Sequence, residues 1–378
     1  MTAPEPTPPD GRRPRVAVVF GGRSSEHGVS CLTAGEVIRA IDPERYDVVP
    51  IGVTREGRWV LESGDPGRFA ITDRRLPSVD VDGAEVVLAG DPSRRELAVY
   101  EPGELPRTLG EVDVVLPLLH GPWGEDGTIQ GLLEMADVRY VGAGVLASAV
   151  GMDKQHMKIA FAAAGLPLLP YVVVTPRRWA HDEAGVRAAV DALTYPVFVK
   201  PARAGSSVGI SRSDGPEQLD AALELARASD PKVIVEAAAV GAREIECGVL
   251  DSPSGPEASS PGEIVIDADS GHTWYDFDAK YVDGGGTAVV PADVSPQIAA
   301  LVREQALTAF EAIGAEGLAR VDFFLLPGDR LVINEINTMP GFTPTSMFPA
   351  MWAAQGVDYP QLVDRLLRTA LQRPQGLR

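Results

Sequence analysis

Near the C-terminal end of the chain, polar side chains sit where apolar ones belong. The segments "ARVDFFLL" and "LVINEIN" read as strands joined by "PGDR". With Gly328 and Asp329 as a two-residue hairpin turn, Asp322 lies opposite Glu335 and Arg320 opposite Asn337. Period-two alternation puts all four side chains on one face, and an odd turn length would spoil that assignment. Directly opposed carboxylates repel each other and raise a pKa. A hard divalent cation removes the conflict, and the oxygens of Asp322, Glu335 and Asn337 suit Mg²⁺, which also keeps substrate phosphates in its shell. A structural ion cluster neutralised by Arg320 fits the same register, so both readings stand. Beside a cation, Arg320 would be an anion-stabilising electrophile suited to phosphoryl transfer.

A second set of residues could hold phosphate. "YPVFVKPARAGSSVGI" is a strand ending in Lys200, followed by a loop with Gly205, Ser206, Ser207 and Gly209. Exposed N–H groups can wrap phosphate oxygens, with Lys200 as a point charge. Gly205–Gly209 also matches G-x-S-x-G, the nucleophile elbow of hydrolases with Ser207 as nucleophile. That motif needs a helix after the turn, whereas "GISRSD" reads as a return strand. "VFGGRSSEHGVS" places Glu26 and Ser30 near a helix start at the carboxyl end of a strand, where open α/β sheets bind ligands. Capping of that helix explains the same residues. "LHGPWGEDG" offers His120, Glu125 and Asp126 at the end of another strand. "WYDFDAKYVDGGGT", with Lys280 and Tyr281, is long and irregular and reads as a lid, or as a plain surface loop.

The elements that must carry these groups are legible from pattern. "RVAVVFGG", "YDVVPIGVT" and "EVDVVLPLLHG" are buried-type strands alternating with helices, so residues 15–145 read as an α/β domain with a mostly parallel sheet. Residues 61–110 read as a peripheral excursion with strand-like pieces such as "AEVVLAG". "SAVGMDKQHMKIAFAAAG" reads as one helix over 148–165. "YVVVT", "YPVFVKP" and "KVIVEAA" are strands of a small α+β domain over 146–243. Residues 244–378 add the hairpin of "REIECGVL" and "GEIVID", a long amphipathic helix, the Asp–Glu hairpin and a closing helix. Residues 1–14 read as a disordered tail rather than a secretory signal.

Composition narrows the partners. The 378 residues carry 34 basic and 53 acidic side chains, a net charge of −19. That disfavours nucleic acid or an anionic membrane as partner. No apolar run approaches the roughly 20 residues of a membrane span. Two cysteines, Cys31 and Cys247, form no disulfide framework and no zinc spacing, which suits a reducing cytoplasm. Only five basic residues are lysine (Lys154, Lys158, Lys200, Lys232 and Lys280), so a compact ammonium is singled out at each.

In this order the motifs "SSEHGVS", "HGPWGEDG", "MDK", "VKPARAGSSVG", "REIECGVL", "YDFDAKY", "GLARVDFF" and "NEINTMPGFTPTSMFP" closely resemble the D-alanine–D-alanine ligases, ATP-grasp enzymes of peptidoglycan synthesis. The resemblance covers residues 15–350. It implies a three-domain α/β ATP-grasp fold in a cytoplasmic homodimer. It also implies that ATP phosphorylates the carboxylate of one D-alanine, after which the amine of a second attacks the acyl phosphate. By match, Lys154, Lys200, Ser206 and Ser207 would contact ATP phosphates, with Glu236 and Glu244 at the adenine and ribose end. Asp322, Glu335 and Asn337 would hold two Mg²⁺ or Mn²⁺, and a monovalent cation requirement is left open. Glu26 would orient the first D-alanine, with His120 beside it. Arg320 and the Gly341 N–H would stabilise the tetrahedral intermediate. Ser346, Met347 and Lys280 would bind the second D-alanine, and Ser206 and Tyr281 would link the lid to Glu26. The alternatives are a D-alanine–D-lactate ligase on the same fold, disfavoured by the Lys280-Tyr281 pair, a serine hydrolase using Ser207, and a nucleotide-binding protein without catalysis.

Overall fold

The computed structural model describes residues 11–72, 75–205, 208–266 and 286–374. Three sheets organise them. The first is built around β1 (Arg15–Gly21), whose apolar run is buried at nearly every position, as a strand covered on both faces requires. It pairs in parallel with β2 (Asp47–Val53) and β7 (Val114–Pro117), and β7 pairs in parallel with β8 (Arg139–Tyr140). One face packs on α1 (His27–Ala40), the other on α2 (Thr128–Met135).

The stretch expected to be peripheral belongs to this same sheet. β3 (Trp59–Leu61), β4 (Glu85–Leu88), β5 (Glu96–Tyr100) and β6 (Arg107–Glu111) continue it as antiparallel strands. Val86, Leu97 and Val99 supply its buried face and join the α2 side of the core. In β4 and β5 only alternate positions are buried, so these strands lack the fully buried apolar run that marks β1.

The expected single helix over 148–165 is two helices, α3 (Val145–Met152) and α4 (Lys154–Ala163). Asp153 is extended (φ −93°, ψ 103°) and caps α4 by accepting from the N–H groups of Gln155 (3.1 Å) and His156 (3.2 Å). Local Asp capping overrides the helical periodicity of the flanks. Lys154 thereby becomes the first residue of a helix.

The second sheet is antiparallel: β9 (Tyr171–Val174), β10 (Val197–Pro201), β11 (Ser211–Ser213) and β12 (Val233–Ala237), in the order β11-β10-β12-β9. Val197, Val199, Val233 and Val235 face helices α6 (Glu183–Asp191) and α7 (Leu219–Arg227), with α5 (Pro176–His181) alongside. Alternation therefore turns Lys200 and Glu236 to the opposite face.

The third sheet contains β13 (Arg243–Leu250), β14 (Glu257–Ala258), β15 (Gly262–Ile266), β16 (Gly286–Val289), β17 (Leu318–Leu326) and β18 (Arg330–Asn337). One face, including Ile245, Val321 and Phe323, is covered by α8 (Pro296–Ala312) and α4. The short helix α9 (Met347–Ala353) and α10 (Tyr359–Gln372) close the chain. The apolar stripe of α10 (Leu362, Val363, Leu366) returns to the first sheet. There Arg373 Nη1 donates to the carbonyls of Tyr140 (3.3 Å) and Gly142 (2.9 Å).

The β17–β18 hairpin carries the expected register at its functional end by a different route. The turn is Pro327-Gly328-Asp329, with Leu326 paired to Arg330, so it is odd. A bulge between Asp322 and Phe323 skips Asn334 and restores Asp322↔Glu335 and Arg320↔Asn337. Before the bulge Leu331 and Ile333 face the core; after it Ile336 does. The extra residue reverses the parity of β18, which aims Glu335 and Asn337 out of the core.

Candidate functional site

Two cavities, of about 500 and 440 Å³, meet at this bulged hairpin. Both are lined by Glu246, Arg320 and Glu335.

The larger cavity lies where the loops after β1 and β7 face the segment after β18. Glu26 occupies the N-cap position of α1, but its side chain does not cap the helix. It is 7 % exposed and lines the cavity. A Cβ at Gly121 (φ 73°) would stand 2.7 Å from Glu26 Oε2, so the backbone approach there requires glycine. The loop after β10 comes equally close, with the Cβ position of Gly205 3.0 Å from the same oxygen. Ser30, the other candidate at this helix start, is structural. Its Oγ donates to the Leu118 carbonyl (2.6 Å) and accepts from the Gly21 N–H (2.8 Å).

His120 Nδ1 bonds the Met339 carbonyl (3.1 Å) and must therefore carry the proton. Its buried Nε2 has no hydrogen-bond partner among the described residues. Burial lowers the His120 pKa despite the neighbouring Glu26 charge, so the neutral ring presents Nε2 as an acceptor. Glu125 accepts from the N–H groups of Gly121 (2.6 Å) and Met339 (3.2 Å). Burial first, and the Glu26 charge second, push its pKa up to about 8. Across the cavity, Gly341 adjoins Ser346, whose Oγ accepts from the Thr343 N–H (3.1 Å). Met347 is buried and lines the cavity beside Ser346.

The smaller cavity lies between the second and third sheets. Lys200 and Glu236 line it, with Phe198, Phe324, Ala237, Ala238 and Ala239. Lys200 Nζ is 2.5 Å from Glu236 Oε2. On the far side Lys158 Nζ is 2.5 Å from Glu236 Oε1. Burial alone would raise the Glu236 pKa, but the two ammonium charges outweigh it and bring it down to about 2. Lys200 moves up despite its burial, because Glu236, Glu335 and Glu244 surround it with negative charge. Glu244 lines this cavity as well. The first element after Gly209 is β11, antiparallel to β10. The strand–turn–helix context of a nucleophile elbow is absent at this position.

At the junction Arg320 grips Asp322 with Nε (2.7 Å) and Nη2 (2.6 Å), and Glu246 Oε2 lies 3.0 Å from Nε. Asn337 Nδ2 donates to Asp322 Oδ2 (3.0 Å). Lys154, at the start of α4, reaches Glu335 (3.3 Å) and the Ala204 carbonyl (3.1 Å). Cross-strand pairing aligns Glu246, Asp322 and Glu335 in one row over three strands. Among the described residues no group of three or more His, Cys, Asp and Glu is gathered as a metal site. Two acids and the Asn337 amide still form a hard-oxygen set that suits Mg²⁺ if substrate phosphates complete the shell.

Both models of one family match this chain: "D-ala D-ala ligase N-terminus" over residues 15–143 and "D-ala D-ala ligase C-terminus" over 160–368. The chain belongs to the D-alanine–D-alanine ligase family. A D-alanine–D-alanine ligase of Paenarthrobacter aurescens (strain TC1) is 57% identical over 381 residues, covering 100% of both chains. One from Streptomyces coelicolor is 57% identical, covering 97% of this chain and 95% of its own. Among solved structures, the VanG D-Ala:D-Ser ligase from Enterococcus faecalis superposes with a TM-score of 0.81 at 33% identity, over 94% of this chain and 99% of its own. The D-alanine–D-alanine ligase from Coxiella burnetii gives 0.79 at 30% identity, over 96% and 94%.

Within this ATP-dependent ligase family the site residues expected here are spread over both cavities: Arg320 and Glu335 line the two together, and Asn337 lines the first. Glu26, His120, Lys154, Gly341, Ser346 and Met347 line the first; Lys200, Glu236, Glu244 and Asp322 line the second. Ser206, Ser207, Lys280 and Tyr281, and with them most of the expected lid, lie outside the described residues. Sequence reasoning misses Glu246 and Lys158 as site residues. Two residues from Glu244 on the same strand, Glu246 shares its outward face, which period two could have flagged. Lys158, one turn from Lys154, could have been flagged by helical spacing. Lys232, also unassigned, pairs with Asp153 and so steadies the helix break.

Proposed function

We infer that this protein joins two D-alanine molecules to D-alanyl-D-alanine at the expense of ATP, through a D-alanyl phosphate. The reading is carried by the junction: Arg320 and Glu335 line both cavities, one acid-lined and the other centred on lysine. ATP occupies the cavity of Lys200 and Glu236, its adenine end toward Phe198, Phe324 and Glu244 and its phosphates toward Lys200 and Lys154. The first D-alanine places its ammonium near Glu26 and the acceptor Nε2 of His120, and its carboxylate toward Arg320. The second places its carboxylate near Ser346 and Met347, with Lys280 from the lid.

Phosphoryl transfer asks for positioning and charge neutralisation rather than a covalent nucleophile. Arg320 and the Gly341 N–H neutralise the oxyanion that forms when the second amine attacks. Asp322, Glu335 and Asn337 hold two Mg²⁺ or Mn²⁺, which neutralise phosphate charge when bound. Ser206 and Tyr281 join the lid to Glu26, which excludes water from the acyl phosphate.

We also propose three domains (15–145, 146–243 and 244–378) and a cytoplasmic homodimer that binds neither nucleic acid nor membrane. The net charge of −19 and two buried free cysteines support the compartment and the excluded partners; the family resemblance alone supports the dimer. No helix among the described residues is long and apolar enough to cross a membrane. The test is ADP release with product analysis, using D-alanine alone and with added D-lactate. D-alanine- and Mg²⁺-dependent ADP with D-alanyl-D-alanine as product is expected. ADP release indifferent to D-alanine, or a depsipeptide as the main product, overturns the assignment.

A further inference from the structure

Lys158 is 1 % exposed, and the ligation chemistry gives it no task. A buried ammonium is costly unless charge and hydrogen bonds compensate it. Burial pulls its pKa down, and Glu236 is the largest opposing influence. Lys154 and Lys158 stand one turn apart on α4 and share a face. Lys154 reaches Glu335. Lys158 contacts Glu236 Oε1 at 2.5 Å and donates to the Asn334 carbonyl at 3.4 Å. Asn334 is the residue skipped by the β18 bulge. One ammonium therefore touches the strand of the second sheet that faces the smaller cavity. It also touches the bulge of the third sheet that aims Glu335.

We propose that Lys158 is a positioning residue for nucleotide binding: it holds Glu236 from behind and the Asn334 carbonyl together, which keeps Lys200 directed at the nucleotide phosphates. The inference rests on the reading of the smaller cavity as the ATP site. Lys158 offsets the Glu236 charge from behind, in a wall where Glu335 and Glu244 already add negative charge around Lys200. Without Lys158 the negative charge around Lys200 grows by one unit, which weakens its attraction for a polyanion. The tie between α4 and the bulge is lost as well.

Lys158→Gln and Lys158→Met separate the two contributions, since Gln retains a donor for Asn334 but no charge. Calorimetric titration with Mg·ADP should show affinity weakened roughly tenfold or more in both variants. D-alanine affinity should stay within about twofold of wild type. In steady state the loss should appear in KM for ATP, with the larger kcat loss in Lys158→Met. A folded variant that binds Mg·ADP as wild type does, or loses Mg·ADP and D-alanine affinity in proportion, overturns the proposal. Hydrogen exchange on the wild-type enzyme keeps the test decisive if neither variant folds. Mg·ADP should slow exchange in the segments 154–163 and 330–337 together, and an unchanged rate in either overturns the coupling. Wild type that binds no Mg·ADP defeats the ATP-site reading and this proposal together. Tight wild-type binding with unaltered variants defeats this proposal alone.

Discussion

The two cavities share a wall but treat buried charge in opposite ways. Around the larger one, burial drives groups toward neutrality: Glu125 is pushed up to about 8 and His120 is lowered. Around the smaller one Glu236 is more deeply buried yet brought down to about 2, and Lys200 is raised. The difference lies in the partners. Glu236 has an ammonium on each side, whereas Glu125 has backbone N–H groups and a second carboxylate nearby. In the first cavity Glu125 stands beside backbone N–H groups and the Glu26 carboxylate, a setting that a substrate ammonium would relieve. The second has cations in place, ready for a polyanion.

The largest effect expected from breaking this contrast is at Lys200. Lys200→Met should lower ATP-dependent turnover about a thousandfold while D-alanine binding persists. Binding and rate measurements together check this, and parallel loss of both would erase the division of labour. At the shared wall, Glu335→Ala should fold but lose Mg²⁺-dependent turnover by roughly a hundredfold or more. Wild-type turnover would remove Glu335 from the cation site. Within the larger cavity, His120→Asn keeps a donor for the Met339 carbonyl but removes the Nε2 acceptor. The KM for the first D-alanine should rise roughly fivefold, the value of one hydrogen bond, and an unchanged KM would place the ammonium elsewhere.

The smallest effect is in proton count. Ligand-free Glu125 keeps its proton up to about pH 8, against 4.5 for an ordinary glutamate. Between those values the folded state holds a proton that the unfolded state has lost, so stability falls as pH rises. The contribution is complete below 4.5 and gone above about 8. The melting temperature of the free enzyme should decline over that window, less steeply in Glu125→Gln. A bound ammonium draws Glu125 back toward its anion, so D-alanine binding near pH 7 should release a fraction of a proton. Titration in buffers of different ionisation heat measures that release, and zero or negative release would contradict the contrast.

Much of the site is legible from residue types. Glu335 and Asn337 in an apolar strand, Lys200 at a strand end and Glu26 at a helix start each break a local pattern. Asp322 opposite Glu335 is also expected, but from a two-residue turn; an odd turn and a bulge combine to give the same pairing. Strict alternation with Glu335 and Asn337 outward would turn Asn334 inward, so the adjacent polar pair already breaks the period, but only the paired strand shows that a bulge absorbs the break. The break at Asp153 is hidden for a related reason. Apolar residues on both sides keep helical spacing, and the pairing of Asp153 with Lys232, just before β12, helps to steady the cap. Residues 61–110 read as peripheral because half-buried antiparallel strands carry little apolar signal until a neighbouring strand supplies their partner.

The sequence by itself determined the family, the order of elements and the chemistry at hand: acids and an amide for a cation, lysines for phosphates, a glutamate for an ammonium. Those depend on residue type and local spacing, which the chain carries in one dimension. Only the tertiary structure decided which charges survive burial. Whether a buried glutamate is an anion or an acid depends on what stands a few ångströms away, and for Glu236 and Glu125 those neighbours come from distant parts of the chain.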